Sequence, residues 1–213
     1  MPIVDVSFRL QGNVIPVDHG YYLLSALSDI IPEIHGHRDT GVHPIAGRLI
    51  GDRLLALTRR SFLTLRLDSD RIGEVLGLAG ETLRIGQHKL TVGVPSARPL
   101  VPCPTVYSRL VTVKGFEEGT PFLDAVRRQM DALDVKGQPS LIGQPQIAKA
   151  NVGKETGSHS SYLRRTVSIK GKEIVGFALR VAELTAEGSI RLQEKGLGGR
   201  RLLGCGIFIP DRR

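Results

Sequence analysis

The side chains best suited to proton transfer in this chain are its six histidines. Four of them, His19, His35, His37 and His43, lie close together near the N-terminus. An imidazole with a pKa near neutrality can take up and return a proton at physiological pH. His19 opens a helical segment, where it is either a base or a capping and core-edge residue. His35 and His37 read as solvated loop residues in HGHRDTG, and their i, i+2 spacing does not by itself make a metal site. No acidic cluster able to hold two catalytic metals is evident in the sequence, so the expectation is chemistry without metal and without a cofactor. Cys103 and Cys205 are too few and too far apart for a metal framework or a disulfide scaffold, and read as buried or incidental thiols.

A second stretch that could do chemistry is KGLGGRRLLGCGIF, residues 195 to 208. Its glycines beside Arg200 and Arg201 could hold a phosphate, but the G-x-x-x-x-G-K-[S/T] pattern is absent. The local order is helix, loop, strand rather than the strand, loop, helix of a dinucleotide site. Gly196, Gly198, Gly204 and Gly206 then serve either as a tight turn or as the wall of a groove.

The elements around these residues follow from periodicity. Residues 3–10 alternate apolar and polar as a strand does, and 19–31 place Tyr22, Leu23, Ala26, Leu27, Ile30 and Ile31 at helical spacing, with Asp18 as N-cap and Pro32 beyond the end. Strands are expected at 53–58 and 62–67, joined by a turn at Arg59, Arg60 and Ser61, then a short helix over 68–80 and a strand over 88–94. The proline-rich segment 98–104 marks a junction. Beyond it the order repeats: a strand at 105–113, a helix from Thr120 and Pro121 to about Leu133, and a hairpin of 162–170 with 173–181 around Gly171 and Lys172. A helix capped by Thr185 and a final strand at 204–210 complete the pattern. The reading is an α+β protein of tandem ferredoxin-like, βαββαβ domains, 1–97 and 105–213, the second with a long polar insertion over 136–161.

Charge separates the halves. Residues 1–135 carry 15 basic and 15 acidic side chains, whereas 136–213 carry 14 basic against 6 acidic, so the net +8 lies in the last third. Such a bias in a folded segment points to a polyanion, nucleic acid above all. Arg164, Arg165, Lys170 and Lys172 along the hairpin are candidates to grip phosphates. With 5% aromatics and no tryptophan, a broad single-strand stacking platform is disfavoured. No long apolar run and no signal-like N-terminus occur, so a soluble, cytoplasmic protein without membrane contact is expected.

The loop GLGGRRLLGCG resembles the glycine-rich signature of the RAMP superfamily. IPVDHGYYLLSALSDII (15–31) and HPIAGRL (43–49) are similar to the first-helix region and the following segment of CRISPR-associated endoribonucleases that cut precursor CRISPR RNA within its repeats. The resemblance covers nearly the full length. It implies metal-independent RNA scission by 2′-hydroxyl attack, giving mature guide RNAs, on a repeat RNA of stem-loop type, with other Cas proteins as further partners. It places the catalytic histidine at His43, followed by Arg48 as a phosphate contact, with His19 as the rival. Ser28 falls, by ungapped spacing, on a position that often holds an active-site tyrosine. The basic residues and glycines of the second half, Arg200 and Arg201 included, become RNA contacts. The alternative expectation is a non-catalytic RNA-binding subunit of a CRISPR effector complex.

Overall fold

The computed structural model describes residues 1–37, 39–143, 164–169 and 172–211. Most of the long polar insertion and Lys170 lie outside the described residues. Strand β1 (Ile3–Gln11) buries Val4, Val6 and Phe8, while Asp5 and Ser7 take the opposite face, as the two-residue period requires. After the short β2 (Val14–Pro16), helix α1 (Gly20–Ile30) buries Leu23, Ala26 and Leu27 in the same core, and a 3-10 turn over Pro32–Gly36 follows. The N-cap is His19 rather than Asp18, because the Asp18 carboxylate is held 3.0 Å from the Arg53 guanidinium.

Next come β3 (Gly41–Val42), β4 (Arg48–Gly51), β5 (Leu54–Ala56), β6 (Phe62–Asp68), the short α2 (Ile72–Val75), β7 (Thr82–Ile85) and β8 (His88–Pro99). The main sheet has the antiparallel order β3-β6-β1-β8-β7. The segment expected to form its second strand, 53–58, lies elsewhere: β5 pairs with β2 and β4 in a separate three-stranded sheet. Ser61 explains why no hairpin closes there. Its hydroxyl accepts from the Thr58 N–H and donates to the Ala46 carbonyl, turning the chain toward 43–47, and the second-strand position falls to the two-residue β3. Strand β8 also runs past its expected end. Pro95 sits beside a register shift between Phe8 and Leu10 and Pro99 ends the strand, both outside the stretch covered by β7, so neither needs to donate to the ladder.

The second unit repeats the plan with β9 (Val106–Val111), α3 (Gly119–Ala132), β10 (Gln138–Leu141), β11 (Arg164–Ile169), β12 (Lys172–Ala182), α4 (Ala186–Lys195) and β13 (Ile209–Pro210). The order is β10-β12-β9-β13, with β11 also on β12. Leu141 pairs with Leu179 and Arg164 with Phe177, whereas β9 takes the other edge of the same residues. Strands β10 and β11 are thus two pieces of one edge strand on β12. Thr185 caps α4 as expected, accepting from the Gly188 N–H at 3.0 Å. The core packs Phe122 against Phe177 with ring centroids 4.8 Å apart. The chain is therefore a tandem of two ferredoxin-like sheets with helices on one face of each. Among the described residues no helix is long and apolar enough to cross a membrane.

Candidate active site and nucleic-acid interface

The polar face of the first sheet meets the second unit. Arg66 on β6, fully buried, grips Asp5 through both nitrogens (Nε–Oδ1 2.7 Å, Nη2–Oδ2 2.8 Å). Its remaining nitrogen donates to the carbonyls of Gln193 (2.9 Å) and Phe208 (2.7 Å) of the second unit. One cation so joins the two sheets.

His43 directly follows β3, and its backbone N–H continues the β6 ladder at Thr64. Its imidazole turns inward: Nε2 lies 3.3 Å from Asp5 Oδ1 without the alignment of a hydrogen bond, and the side chain is 14% exposed. Burial pushes its pKa below the usual value; Asp5 works against this, and Arg66 and Arg201 add to it. For Asp5, burial alone would raise the pKa, but Arg66 and His43 together outweigh it and hold the carboxyl well below the ordinary range. Arg48 stands on the exposed β4, in the small sheet rather than beside this ion pair.

Both ring nitrogens of His19 are occupied. Nδ1 lies 2.9 Å from the Pro16 carbonyl and Nε2 accepts from the Ile45 N–H at 2.9 Å, so the neutral ring with its proton on Nδ1 satisfies both contacts. The ring is 2% exposed, and its pKa is lowered by burial, with Arg109 adding to the effect.

His35 presents the contrasting arrangement. The 3-10 turn started by Pro32 buries Ile34 and leaves His35 exposed, with Nε2 2.9 Å from the Ser28 hydroxyl. Ser28 also donates to the Leu24 carbonyl at 2.7 Å, so on that hydrogen assignment it accepts from an imidazole N–H. The sequence reading gave Ser28 a place by resemblance and took His35 as a solvated loop residue. The structure brings the two together because their seven-residue spacing keeps both side chains on one face when a helical turn continues beyond a proline.

The glycine loop is built by close packing. Gly196 and Gly206 have φ of +66°, and each lies where a Cβ would strike the other strand of the loop: Gly196 against the Gly206 carbonyl, Gly206 against the Leu197 carbonyl. The Gly206 N–H donates to Leu110 and the Gly199 N–H to Thr112, tying the loop to β9. The Gly198 N–H donates to Gln129, and Gly204 rests on Pro44. The two arginines part company. Arg200 is exposed, whereas Arg201, expected to project toward a ligand, is 9% exposed and folds back under Gly196 and Gly41 toward Asp39. Burial, with Arg66 nearby, lowers its pKa to about 10.

On the hairpin, Lys172 is exposed, and Arg165 enters a cleft of about 200 Å³ that also holds Arg53, Arg109, His19 and Gly204. Nothing is described of the Arg164 side chain. Among the described residues, no three His, Cys, Asp or Glu side chains group as metal ligands.

Comparison with known proteins gives one consistent result. The Cas6 family model, described as Cas6 Crispr, matches residues 4–213. A CRISPR-associated endonuclease Cas6 of Myxococcus xanthus (strain DK1622) is 38% identical over 213 residues, covering all of this chain and 84% of that protein. Among solved structures, a Cas6-related protein from Pyrococcus furiosus superposes with TM-score 0.70 at 16% identity, over 99% of both chains. A RAMP protein binding different RNA substrates superposes with TM-score 0.65 at 14% identity, over 96% of this chain and 98% of that one. With two ferredoxin-like sheets closed by a glycine loop and a family match from the first strand to the last residue, this chain belongs to the Cas6 family.

Proposed function

We propose that this chain is a metal-independent endoribonuclease that cuts precursor CRISPR RNA within its repeats, with His35, paired to Ser28, as its proton-transfer group. The observation that carries the choice of residue is the exposed Ser28–His35 pair at 2.9 Å. His43 faces Asp5 from a largely buried position, and His19 has both nitrogens engaged. The name of the 38% identical relative and the fold shared with RNA-binding RAMP structures support an RNA substrate.

In this reading the ribose 2′-oxygen loses its proton and attacks the adjacent phosphorus. The bond to the 5′-oxygen breaks, and that oxygen leaves with a proton. The products are a 2′,3′-cyclic phosphate, open to hydrolysis to a 3′-phosphate, and a 5′-hydroxyl end. His35 takes or returns one of the two protons, contributing on the order of 10²–10⁴ in rate. Ser28, its own proton held by the Leu24 carbonyl, orients the ring by accepting the imidazole N–H. The basic second half, with Lys172 and Arg200 on its surface, meets the backbone of a repeat stem-loop through shape and phosphate contacts, with the glycine loop as a wall of that groove.

The test is incubation of the purified protein with repeat RNA in chelator, followed by analysis of product ends and repetition with a 2′-deoxy ribose at the mapped position. Cyclic ends and an intact deoxy substrate are expected. Cleavage of the deoxy substrate would sink the mechanism, and tight binding with no cleavage of any repeat would make the chain a guide-holding subunit. Retained cleavage by His35→Ala with loss in His43→Ala would move the role to His43.

A further inference from the structure

The cleft at the N-terminus of α1 gathers more cationic side chains than it has carboxylates to pair them. Arg109 stands on β9 and Arg165 on β11, on opposite edges of β12. The residue of β12 directly across from Arg165 is Gly176, which lets the Val111 carbonyl and the Leu110 side chain of β9 pack closely at that point. Arg53 reaches the same cleft from the first unit. Among the described residues Arg109 has no hydrogen bond or ion pair, and the buried Nε of Arg165 has no acceptor. Arg53 holds the one carboxylate of the lining, Asp18, at 3.0 Å. The cleft therefore carries three guanidinium groups against one carboxylate.

The backbone adds to this. Helix α1 has no side-chain cap from His19 and no acidic residue in its first turn, and Gly20 lines the cleft. The N-terminal end of the helix and the positive end of its dipole thus open on the same cleft as the arginines. Such an arrangement costs folding free energy unless an anion completes it. Burial first, and Arg109 close by second, lower the pKa of Arg165.

We propose that this cleft, walled by Arg53, Arg109 and Arg165 at the start of α1, anchors one backbone phosphate of a bound RNA strand, apart from the phosphate that is cut. The inference rests on the RNA-processing reading above. Gly20, Leu24 and Ser28 follow one another at four-residue spacing along a single flank of α1, so the anchor and the Ser28–His35 pair share that flank. Eight residues of helix separate them by about 12 Å. The anchored phosphate is then a neighbour of the scissile one along the strand, which sets where the chain cuts. The two guanidinium groups from different strands and the helix N–H groups recognise the phosphate oxygens, not a base, so the anchor carries no sequence preference.

The experiment is the salt dependence of RNA affinity for the full chain and for Arg109→Gln, Arg165→Gln and the double variant, with Arg127→Gln on the exposed face of α3 as control. Binding is read by fluorescence anisotropy on repeat RNA blocked by a 2′-deoxy ribose at the mapped cut. Unmodified RNA serves directly if the chain does not cut, so anchor and nuclease fail separately. Each cleft variant is expected to lose about tenfold in affinity at moderate salt and to lower the slope of log K against log salt by about 0.7–0.9, with Arg127→Gln unchanged. The double variant should lose less than the product of the singles, because both arginines serve one phosphate. Without RNA, neither variant should melt below the parent, since each removes one of two unpaired like charges. Unchanged slopes, or a melting temperature that falls with affinity unaltered, would overturn the proposal. So would thermal stabilisation by inorganic phosphate that the cleft variants lose while their RNA slopes stay the same, which would mark a site for small anions.

Discussion

A histidine's neighbours decide what it can do, and this chain holds a buried strut, His19, and an exposed ring, His35, within one stretch. His19 bridges the Pro16 carbonyl and the Ile45 N–H, so His19→Ala leaves both without partners. The expected loss is about 2–4 kcal/mol, measured by denaturant unfolding, with specific activity of the folded fraction affected far less than in His35→Ala. Acid should act through His19 and His43 together. Burial holds both below the ordinary value of 6.5, so the folded state keeps them neutral while the unfolded chain takes up protons first. Their contribution to stability is complete above pH 6.5 and is lost as the pH falls from there through the lowered folded-state values. A lower melting temperature at pH 5 than at pH 7.5, with a smaller difference in His43→Gln, is the expected result. None of this was legible in the sequence, where every histidine had the same letter and only resemblance separated them. The Ser28–His35 contact depends on the turn at Pro32, which residue spacing alone reads as the end of the helix.

At the scale of elements, what the sequence showed was what had a period. The β11–β12 hairpin, α4 with its Thr185 cap, and α1 were readable because six or more residues repeat an apolar spacing or carry a capping side chain. The two-residue β3 has no period at all, and β10 is the polar QPSL; each is a strand only because β6 or β12 offers it an edge. The glycine loop was visible as composition, but its construction was not: Gly196 and Gly206 leave room for each other's chain segment. Gly206→Ala combines a strained positive φ with a Cβ driven into the Leu197 carbonyl, and should destabilise by about 2 kcal/mol or more. Gly199→Ala is the control, because nothing lies within 4 Å of its added Cβ. Equal stability of the two variants in urea unfolding would show that the loop is not held together in this way.

The two sheets act as one molecule through Arg66. Its guanidinium is 1% exposed and satisfies Asp5 in the first unit and two backbone carbonyls in the second, so it belongs to both cores. A buried ion pair adds little net stability over a well-packed apolar pair, but breaking one side of it leaves a buried charge alone, at about 3–5 kcal/mol. Arg66→Met should therefore cost on that order, and the cost should fall on the interface rather than on either core. The deserted Asp5 would then draw His43, 3.3 Å away, toward its protonated form, raising the pKa of both. Calorimetry reads the consequence. The parent should unfold in one transition, since the shared cation couples the units; Arg66→Met should unfold in two, the lower one moving most with pH between 5 and 7. Asp5→Asn combined with Arg66→Met should lose less than the sum of the single changes, because each removes the partner of the other. A single transition in Arg66→Met, merely shifted to lower temperature, would mean that the glycine loop and the Gly204–Pro44 contact suffice to hold the units together.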